Sequence, residues 1–202
     1  MKAINTAYAL VDWHNMQKHL DPEFNSDPRK RLRDVIFRLQ QHVVGALEFE
    51  RAQKYRVTLR LYHGWHQNRD QTVARRDFDL MSNEEELARR IANVSFVKGF
   101  QFGNDPICND GSYPLFHTYR GGGQDSGQKM IDTSIVCDAL HLMRYGLAQV
   151  VLVLSDDDDF IPLLVTAKSW AARAILLRQP GSHVRDVTDL DCENDVCYWS
   201  EN

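Results

Sequence analysis

Acidic side chains that could hold a metal ion follow two apolar segments of this chain. Asp12 comes directly after the apolar residues 7–11, and the aspartates 156–159 follow Val150–Leu154 with only Ser155 between them. Adjacent carboxylates repel one another unless they lie in solvent or around a cation. Because hard oxygen ligands favour Mg²⁺ or Mn²⁺, the pattern suggests a site for one of these ions. The alternative is a solvated helix N-terminus that one of these aspartates caps.

A third acid, Asp132, is singled out by helical periodicity. It lies in the middle of an apolar stripe that Ile135, Val136, Ala139 and Met143 form at helical spacing. A carboxylate in such a stripe is costly to bury, so it needs a cation, hydrogen-bond donors or the open end of a sheet. Alternatively, Asp132 stabilises the first turn of its helix, where the helix dipole favours an anion.

Apolar segments that alternate with helical patterns indicate an α/β fold. We predict strands at 7–11, 56–61, 94–97, 115–119, 150–154 and 174–177, and helices at 34–49, 75–92, 131–145 and 160–172. Continuous apolar runs are typical of strands buried in a parallel sheet, whereas the alternation at 56–61 predicts a half-exposed strand. The prediction is a three-layer α/β/α domain with a central, mainly parallel sheet. Ligands of such sheets bind at the carboxyl ends of the strands, where Asp12 and 156–159 fall.

Three motifs in this order resemble the NYN domain family, the LabA-like branch of the PIN-like nucleases. They are VDWHN at 11–15, KMIDTSIVCDAL at 129–140 and VLVLSDDDDFIPLL at 151–164, and together they span most of the chain. The family pattern is a strand ending in D-G-x-N, a helix opening with K-x-x-D and a strand running into S-G-D-x-D-F. The resemblance implies a PIN-like, Rossmann-like fold and metal-dependent hydrolysis of RNA.

The resemblance also implies which residues act. Four acids match the positions that hold divalent metal in the family, and three polar residues match positions beside them. The expected metal ligands are Asp12, Asp132, Asp157 and Asp159, and the polar site residues are Asn15, Lys129 and Ser155. We expect Mg²⁺ or Mn²⁺ as cofactor, water as the attacking group, Lys129 beside the phosphate, and Asn15 orienting a ligand.

Two residues depart from the family pattern. Trp13 and Asp156 stand where the family has glycine, so both turns gain a side chain. The departures predict a narrower or more acidic site and bear on the substrate range more than on metal binding. We expect Asp156 to point to solvent rather than to act as an extra ligand.

The charge distribution bears on nucleic-acid binding. The chain has a formal net charge of −4, which does not mark it as a nucleic-acid binder. Basic residues nevertheless outnumber acidic ones within residues 29–120, and these could follow an RNA backbone or form an ordinary solvated helix face. The candidates are Arg29, Lys30, Arg31, Arg33, Arg75 and Arg76.

Three other functions compete with the nuclease. The loop 121–127 is glycine-rich as in a dinucleotide-binding turn, but Ser126 takes the third glycine position and the expected acidic strand end is missing. We therefore favour a loop bordering the nuclease site. An aspartyl-phosphate phosphatase would carry its DxD motif on the first strand. A PIN-like module that binds RNA or a protein without cutting it remains the main alternative.

The histidines around Trp65 permit two interpretations. His63 and His66 could bind a metal or a base, with Trp65 stacking on the base, or they could be ordinary loop residues. We favour the second interpretation.

The remaining features bound the class of protein. The length of 202 residues suits one domain, so we predict a single PIN-like domain over 1–202 with an acidic C-terminal tail at 191–202. The four cysteines show no CxxC spacing and are interpreted as ordinary thiols. No signal peptide or membrane span is evident, so we expect a cytoplasmic protein that does not bind membranes. RNA, single-stranded or structured, is the expected partner, and the sequence also permits a homo-oligomer or a regulatory protein partner.

Overall fold

One eight-stranded sheet makes up the centre of the fold. The computed structural model describes residues 3–20, 27–48, 54–81, 87–109, 113–120, 127–180 and 195–198. In chain order the elements are β1 (Ile4–Asp12), α1 (Trp13–Leu20), α2 (Pro28–Glu48), β2 (Lys54–Tyr62), β3 (His66–Gln67), β4 (Asp70–Gln71), α3 (Val73–Met81), β5 (Arg90–Ile91), β6 (Val94–Phe96), β7 (Gln101–Phe102), β8 (Tyr119–Arg120), β9 (Gly127–Gln128), α4 (Ile131–Arg144), β10 (Val150–Leu154), α5 (Ile161–Ser169), β11 (Arg173–Arg178) and β12 (Val196–Tyr198).

The order of the strands creates a switch point beside β1. The sheet runs β12-β11-β10-β1-β2-β6-β5, with β7 also pairing β2, and every pair except β5–β6 is parallel. The chain passes from β1 through α1 and α2 to β2 on one side, and from β10 through α5 to β11 on the other. The strand order therefore reverses between β1 and β10, which is where such sheets bind ligands.

Two apolar clusters sandwich the sheet and define the three layers. In β10, Leu152 and Leu154 pack in the cluster that contains residues of α1, α2 and α3, whereas Val151 and Val153 pack in the cluster of α4 and α5. Side chains alternate between the faces of a strand, so a strand with both faces covered must be apolar throughout. The predicted three-layer α/β/α architecture is confirmed.

Most predicted strands and helices are present, with different bounds. The strands at 7–11, 56–61, 94–97, 150–154 and 174–177 correspond to β1, β2, β6, β10 and β11, and α4 matches its prediction closely. The predicted helix 34–49 begins earlier, at Pro28, because the side chain of Asp27 accepts hydrogen bonds from the backbone N–H groups of Arg29 and Lys30. α5 is shorter than the predicted 160–172.

Two predicted elements were wrong, and the α-helix α1 was missed. The predicted helix 75–92 ends at Met81, and Arg90–Ile91 pairs with β6 instead. Of the predicted strand 115–119 only Tyr119 is in a strand. The helix α1 was not predicted, because its eight mostly polar residues are too few to show an extended apolar repeat. Within the predicted tail 191–202, Val196–Tyr198 forms an edge strand beside β11.

The prediction that β2 is half exposed is correct for its first half, where Lys54 and Arg56 are exposed, and wrong after Thr58, where a buried polar network occupies the α4 face. The Arg60 guanidinium donates from Nε to Asp138 Oδ2 at 2.8 Å, and the Tyr62 hydroxyl donates to the same oxygen at 2.7 Å. The backbone N–H of Ile107 donates to the other oxygen at 2.9 Å. Both Arg60 and Asp138 are buried, so the charge pair links the sheet to α4 out of contact with water.

No helix in the described ranges is both long enough and apolar enough to cross a membrane.

Asp138→Asn should lower the free energy of unfolding by about 3–5 kcal/mol, because it leaves the Arg60 cation buried without its counter-charge. Urea denaturation followed by circular dichroism measures this change. Cys137→Ser, at an exposed neighbouring position on α4, is the control and should change stability by less than about 0.5 kcal/mol. A loss for Asp138→Asn no larger than that of the control would contradict a buried ion pair.

Candidate functional site

The pairing of β1 with β10 brings the first acid to Ser155. Val11 lies opposite Leu154 in the parallel register, so the residues that follow, Asp12 and Ser155, are neighbours at the carboxyl edge. The Ser155 hydroxyl donates to Asp12 Oδ2 at 3.1 Å, and the backbone N–H of Asn15 donates to Oδ1. The Asn15 amide also donates to the Ser155 oxygen at 3.0 Å. Asp12, Asn15 and Ser155, all predicted site residues, thus form one hydrogen-bonded group.

Asp12 is a buried acid. Only 6% of the surface of Asp12 is exposed to solvent. Burial raises the pKa of the Asp12 carboxyl, while the hydrogen bonds from Asn15 and Ser155 lower it. The hydrogen bonds therefore hold the carboxylate in place without fully compensating its charge.

The aspartates at 156–159 have different partners: two bind residues at or after the end of β11, and a third lines the cavity. Asp156 accepts from the backbone N–H of Gln179 at 2.8 Å and lies 3.1 Å from His19 Nε2, and Asp158 pairs with Arg178 at 2.6 Å. Asp157, in contrast, accepts from the backbone N–H of Asp159 and caps a short 3₁₀ helix. The expectation that Asp156 points to solvent was wrong, because it is hydrogen-bonded to the end of β11.

Asp132 reaches the site because of an unusual backbone turn. Met130, the residue before α4, has a φ of 65°, a left-handed conformation that non-glycine residues rarely adopt. The turn starts α4 at the sheet edge and puts Asp132 in its first turn. Partial burial raises the pKa of Asp132, and the nearby carboxylates of Asp12, Asp157 and Asp159 raise it further.

Three of the four predicted metal ligands line one cavity. It has a volume of about 570 Å³ and lies at the carboxyl edge between β1 and β10. Its lining residues are Asp12, His14, Asn15, His63, Tyr119, Gly127, Gln128, Met130, Ile131, Asp132 and Asp157. The fourth ligand, Asp159, is exposed and acts on Asp132 through its charge. Lys129 is exposed and lies outside the lining, with its backbone N–H bonded to Thr118.

The donors in the cavity suit a hydrated hard cation. The lining offers carboxylate oxygens from Asp12, Asp132 and Asp157. These carboxylates repel one another, and no lysine or arginine in the described lining offsets the repulsion. Among the residues that the structure describes, no three histidine, cysteine or acidic side chains are grouped closely enough to hold an ion by themselves. Mg²⁺ usually keeps several waters and takes only one or two protein carboxylates. The residues present therefore fit a partly hydrated Mg²⁺ better than an ion that protein ligands enclose completely.

Two histidines in the cavity wall were missed as site residues. The rings of His14 and His63 are nearly parallel, with centroids 6.1 Å apart. The Gln128 amide bonds to Nδ1 of His63 at 2.7 Å. Burial lowers the pKa of His63 to about 4, and the neighbouring His14 contributes to the shift. The sequence feature that points to His63 as a cavity residue is its position directly after the end of a strand.

Trp65 and His66, which follow His63 closely in the sequence, pack in the interior of the fold. Trp65 is buried, its indole N–H donates to the Leu61 carbonyl, and its ring packs edge-on against Phe78. His66 is buried against the Phe116 ring. The alternative in which His63 and His66 act as a pair around a stacking Trp65 is therefore wrong.

Trp13 does not narrow the cavity as its bulk suggested. It is 3% exposed and packs edge-on against Phe78 at 4.8 Å, on the α1–α3 face of the sheet. The side chain at this glycine position of the family pattern thus joins the core, while the next residue, His14, lines the cavity.

The predicted basic residues lie in two places. Arg29, Lys30 and Arg31 are exposed on the first turns of α2, with Arg33 one turn on, and Arg29 and Arg31 border a separate cavity among α1, α2 and α3. The Arg75 guanidinium is instead held by Asp79 and Asn104 over the Phe102 ring, so it supports the α3 packing. Arg76 is exposed and donates to the Gln71 carbonyl. The glycine-rich residues 121–126 lie outside the described ranges.

The fold and this cavity define a three-layer α/β protein with an acidic pocket at the switch point of its sheet. A crystal structure of a protein of unknown function from Vibrio parahaemolyticus RIMD 2210633 is similar to it, with a TM-score of 0.52 and 14% sequence identity over 98% of this chain and 94% of that chain. At this identity the likeness supports the fold alone. No protein-family model and no curated protein matches the sequence.

Asp132→Asn should stabilise the protein at pH 7 in the presence of EDTA. The folded-state pKa of Asp132 is raised, so the folded protein loses stability as the pH rises through that pKa, and removing the carboxylate removes the loss. The urea midpoint should therefore rise at pH 7 and be unchanged in acid, where the carboxyl is protonated in both states. Asp70→Asn, at an exposed position on β4, is the control. An Asp132→Asn variant less stable than wild type at pH 7 would contradict the charge crowding.

His63 should titrate in NMR near pH 4, well below an ordinary histidine. The unfolded chain then takes up this proton first, so between about pH 6.5 and pH 4 the free energy of unfolding should fall as the pH falls. His63→Phe should flatten this part of the pH–stability profile. A His63 resonance that titrates near pH 6.5 would refute the assigned burial.

Proposed function

We propose that this protein is a metal-dependent nuclease that hydrolyses RNA phosphodiester bonds, using Mg²⁺ or Mn²⁺ held by Asp12, Asp132 and Asp157. One observation carries the proposal: three separate segments of the chain bring these acids to one cavity at the switch point of the sheet. Carboxylates crowd together in this way at a cost in stability, and a divalent cation relieves that cost. The resemblance to the NYN family, made on the same residues, supports the choice of RNA.

The proposed ion defines what the side chains around it do. When bound, Mg²⁺ or Mn²⁺ would supply positive charge for the phosphate oxygens and lower the pKa of a water molecule. Asp12 and Asp157 are the proposed principal ligands, and Asp132 completes the set directly or through water. Asp159 adds negative charge from outside the lining.

The polar residues around Asp12 orient it. Ser155 donates to Asp12 and also accepts from the backbone N–H of Asp157 at 3.2 Å, so one hydroxyl links two proposed ligands. Asn15 holds that hydroxyl in turn through its amide. Lys129 is assigned a weaker role than the resemblance implies: its exposed side chain follows the β8–β9 pair and would meet the nucleic acid outside the cavity.

A second candidate is a binding module that holds RNA or a protein partner without hydrolysis. One observation favours it, namely that no three candidate ligands in the described ranges are grouped closely enough to hold an ion as they stand. Metal binding separates the two candidates, because a module without catalysis has no need of the ion.

The proposal predicts cleavage of single-stranded and structured RNAs by the purified protein with Mg²⁺ or Mn²⁺. EDTA should abolish cleavage, and Asp157→Asn should reduce it by at least about a hundredfold, as expected when a residue that stabilises the transition state is lost. Gel electrophoresis of end-labelled RNA measures the rate. Asp70→Asn should cleave at the wild-type rate, since its exposed carboxylate lies outside the cavity.

Calorimetric titration with Mn²⁺ tests the ion separately from the reaction. Wild type should bind Mn²⁺ more tightly than Asp157→Asn. If the wild-type protein neither binds Mn²⁺ nor cuts any RNA but still binds RNA, the binding module replaces the nuclease.

A further inference from the structure

His63 is a polar residue of the acidic cavity that takes no part in the proposed metal site. It lies directly after β2 and lines the cavity together with the three acids. Its ring is held from two directions by described residues: Gln128 bonds to Nδ1, and Trp65 packs edge-on at 5.2 Å. His14 lies parallel to it across the cavity wall. A side chain held in this way is preorganised for one orientation.

The bond from Gln128 determines which ring nitrogen carries the proton. The amide Nε2 of Gln128 faces Nδ1 of His63, and in this orientation the amide donates and Nδ1 accepts. In a neutral imidazole the proton then resides on Nε2, which becomes a donor. No described residue hydrogen-bonds to Nε2, and this atom is not among the buried unsatisfied polar atoms.

The lining has few other donors for an anionic ligand. It contains no lysine or arginine among the described residues, one N–H of the Asn15 amide already donates to Ser155, and the remaining side-chain donors are those of His14, Tyr119, Gln128 and the second N–H of Asn15. A phosphate group that entered the cavity would meet three carboxylates, so it needs fixed donors besides any cation. Nε2–H of His63 is a donor of this kind.

We propose that His63 is a substrate-binding residue, whose Nε2–H donates a hydrogen bond to a phosphate oxygen of the RNA strand in the acidic cavity, with Gln128 fixing the tautomer. This inference rests on the proposed nuclease function and adds a residue to the same site. The low pKa of His63 supports it, because the ring stays neutral and keeps the tautomer that Gln128 selects.

The first test measures RNA binding without catalysis. With Mg²⁺ present and the cleavage-impaired Asp157→Asn variant as the parent protein, His63→Phe should weaken binding of a fluorescent single-stranded oligoribonucleotide about tenfold, because it keeps an aromatic ring but removes the donor. His63→Gln, which restores an N–H donor, should recover most of the affinity. His117→Phe, at an exposed histidine outside the cavity lining, is the matched control and should bind like the parent.

The second test examines the tautomer and the kinetics. Long-range ¹H–¹⁵N NMR of wild type should show the His63 proton on Nε2, and Gln128→Leu should leave a mixture of tautomers. With Mg²⁺ present, His63→Phe in the otherwise wild-type protein should raise KM more than it lowers kcat.

The outcomes separate this inference from the proposed function. If wild type cleaves RNA while His63→Phe binds and cleaves it with unchanged affinity and KM, the inference fails alone. A proton found on Nδ1 would also overturn it. If wild type cuts no RNA but His63→Phe still loses binding, the nuclease proposal fails and His63 stands as an RNA-binding residue. If Asp157→Asn and wild type bind no RNA at all, both fail.

Discussion

The parallel pairing of β1 with β10 is the constraint on which the site depends. The register that places Val11 opposite Leu154 also places Asp12 beside Ser155. The Ser155 hydroxyl donates to Asp12 and accepts from the backbone N–H of Asp157, so it joins the two acids. A slip of one residue would move the side chains of the shifted strand to the opposite apolar layers and disrupt the packing of both clusters. The hydrophobic packing of the sheet therefore fixes the relative position of polar groups that never touch that packing.

Around this pair the protein accumulates negative charge that its own residues do not neutralise. Two of the four consecutive aspartates are occupied elsewhere: Asp156 is bonded to the end of β11 and Asp158 to Arg178. The other two contribute to the crowding that raises the pKa of Asp132. One short segment thus serves both as an anchor for the loop after β10 and as part of the site. Such crowding is a typical mark of a functional centre.

A buried polar network between β2 and α4 also supports the site. Arg60, Tyr62 and Asp138 form a buried network that attaches α4 to the sheet. Asp138 is the second aspartate in the helical motif of the NYN-like pattern, and here it holds the helix rather than facing the cavity. Because α4 is anchored through Asp138, its first turn and Asp132 keep their position at the cavity.

The sequence by itself determined the layered α/β fold and the acidic segments, because apolar runs and helical periodicity are local patterns that follow burial directly. It also marked Asp12, Asp132 and Asp157 as candidates. Only the tertiary structure decided where polar side chains point: Trp13 turns into the core, Asp156 binds β11, and His63 enters the cavity. These outcomes depend on contacts between residues far apart in the chain, and no spacing within one segment encodes them.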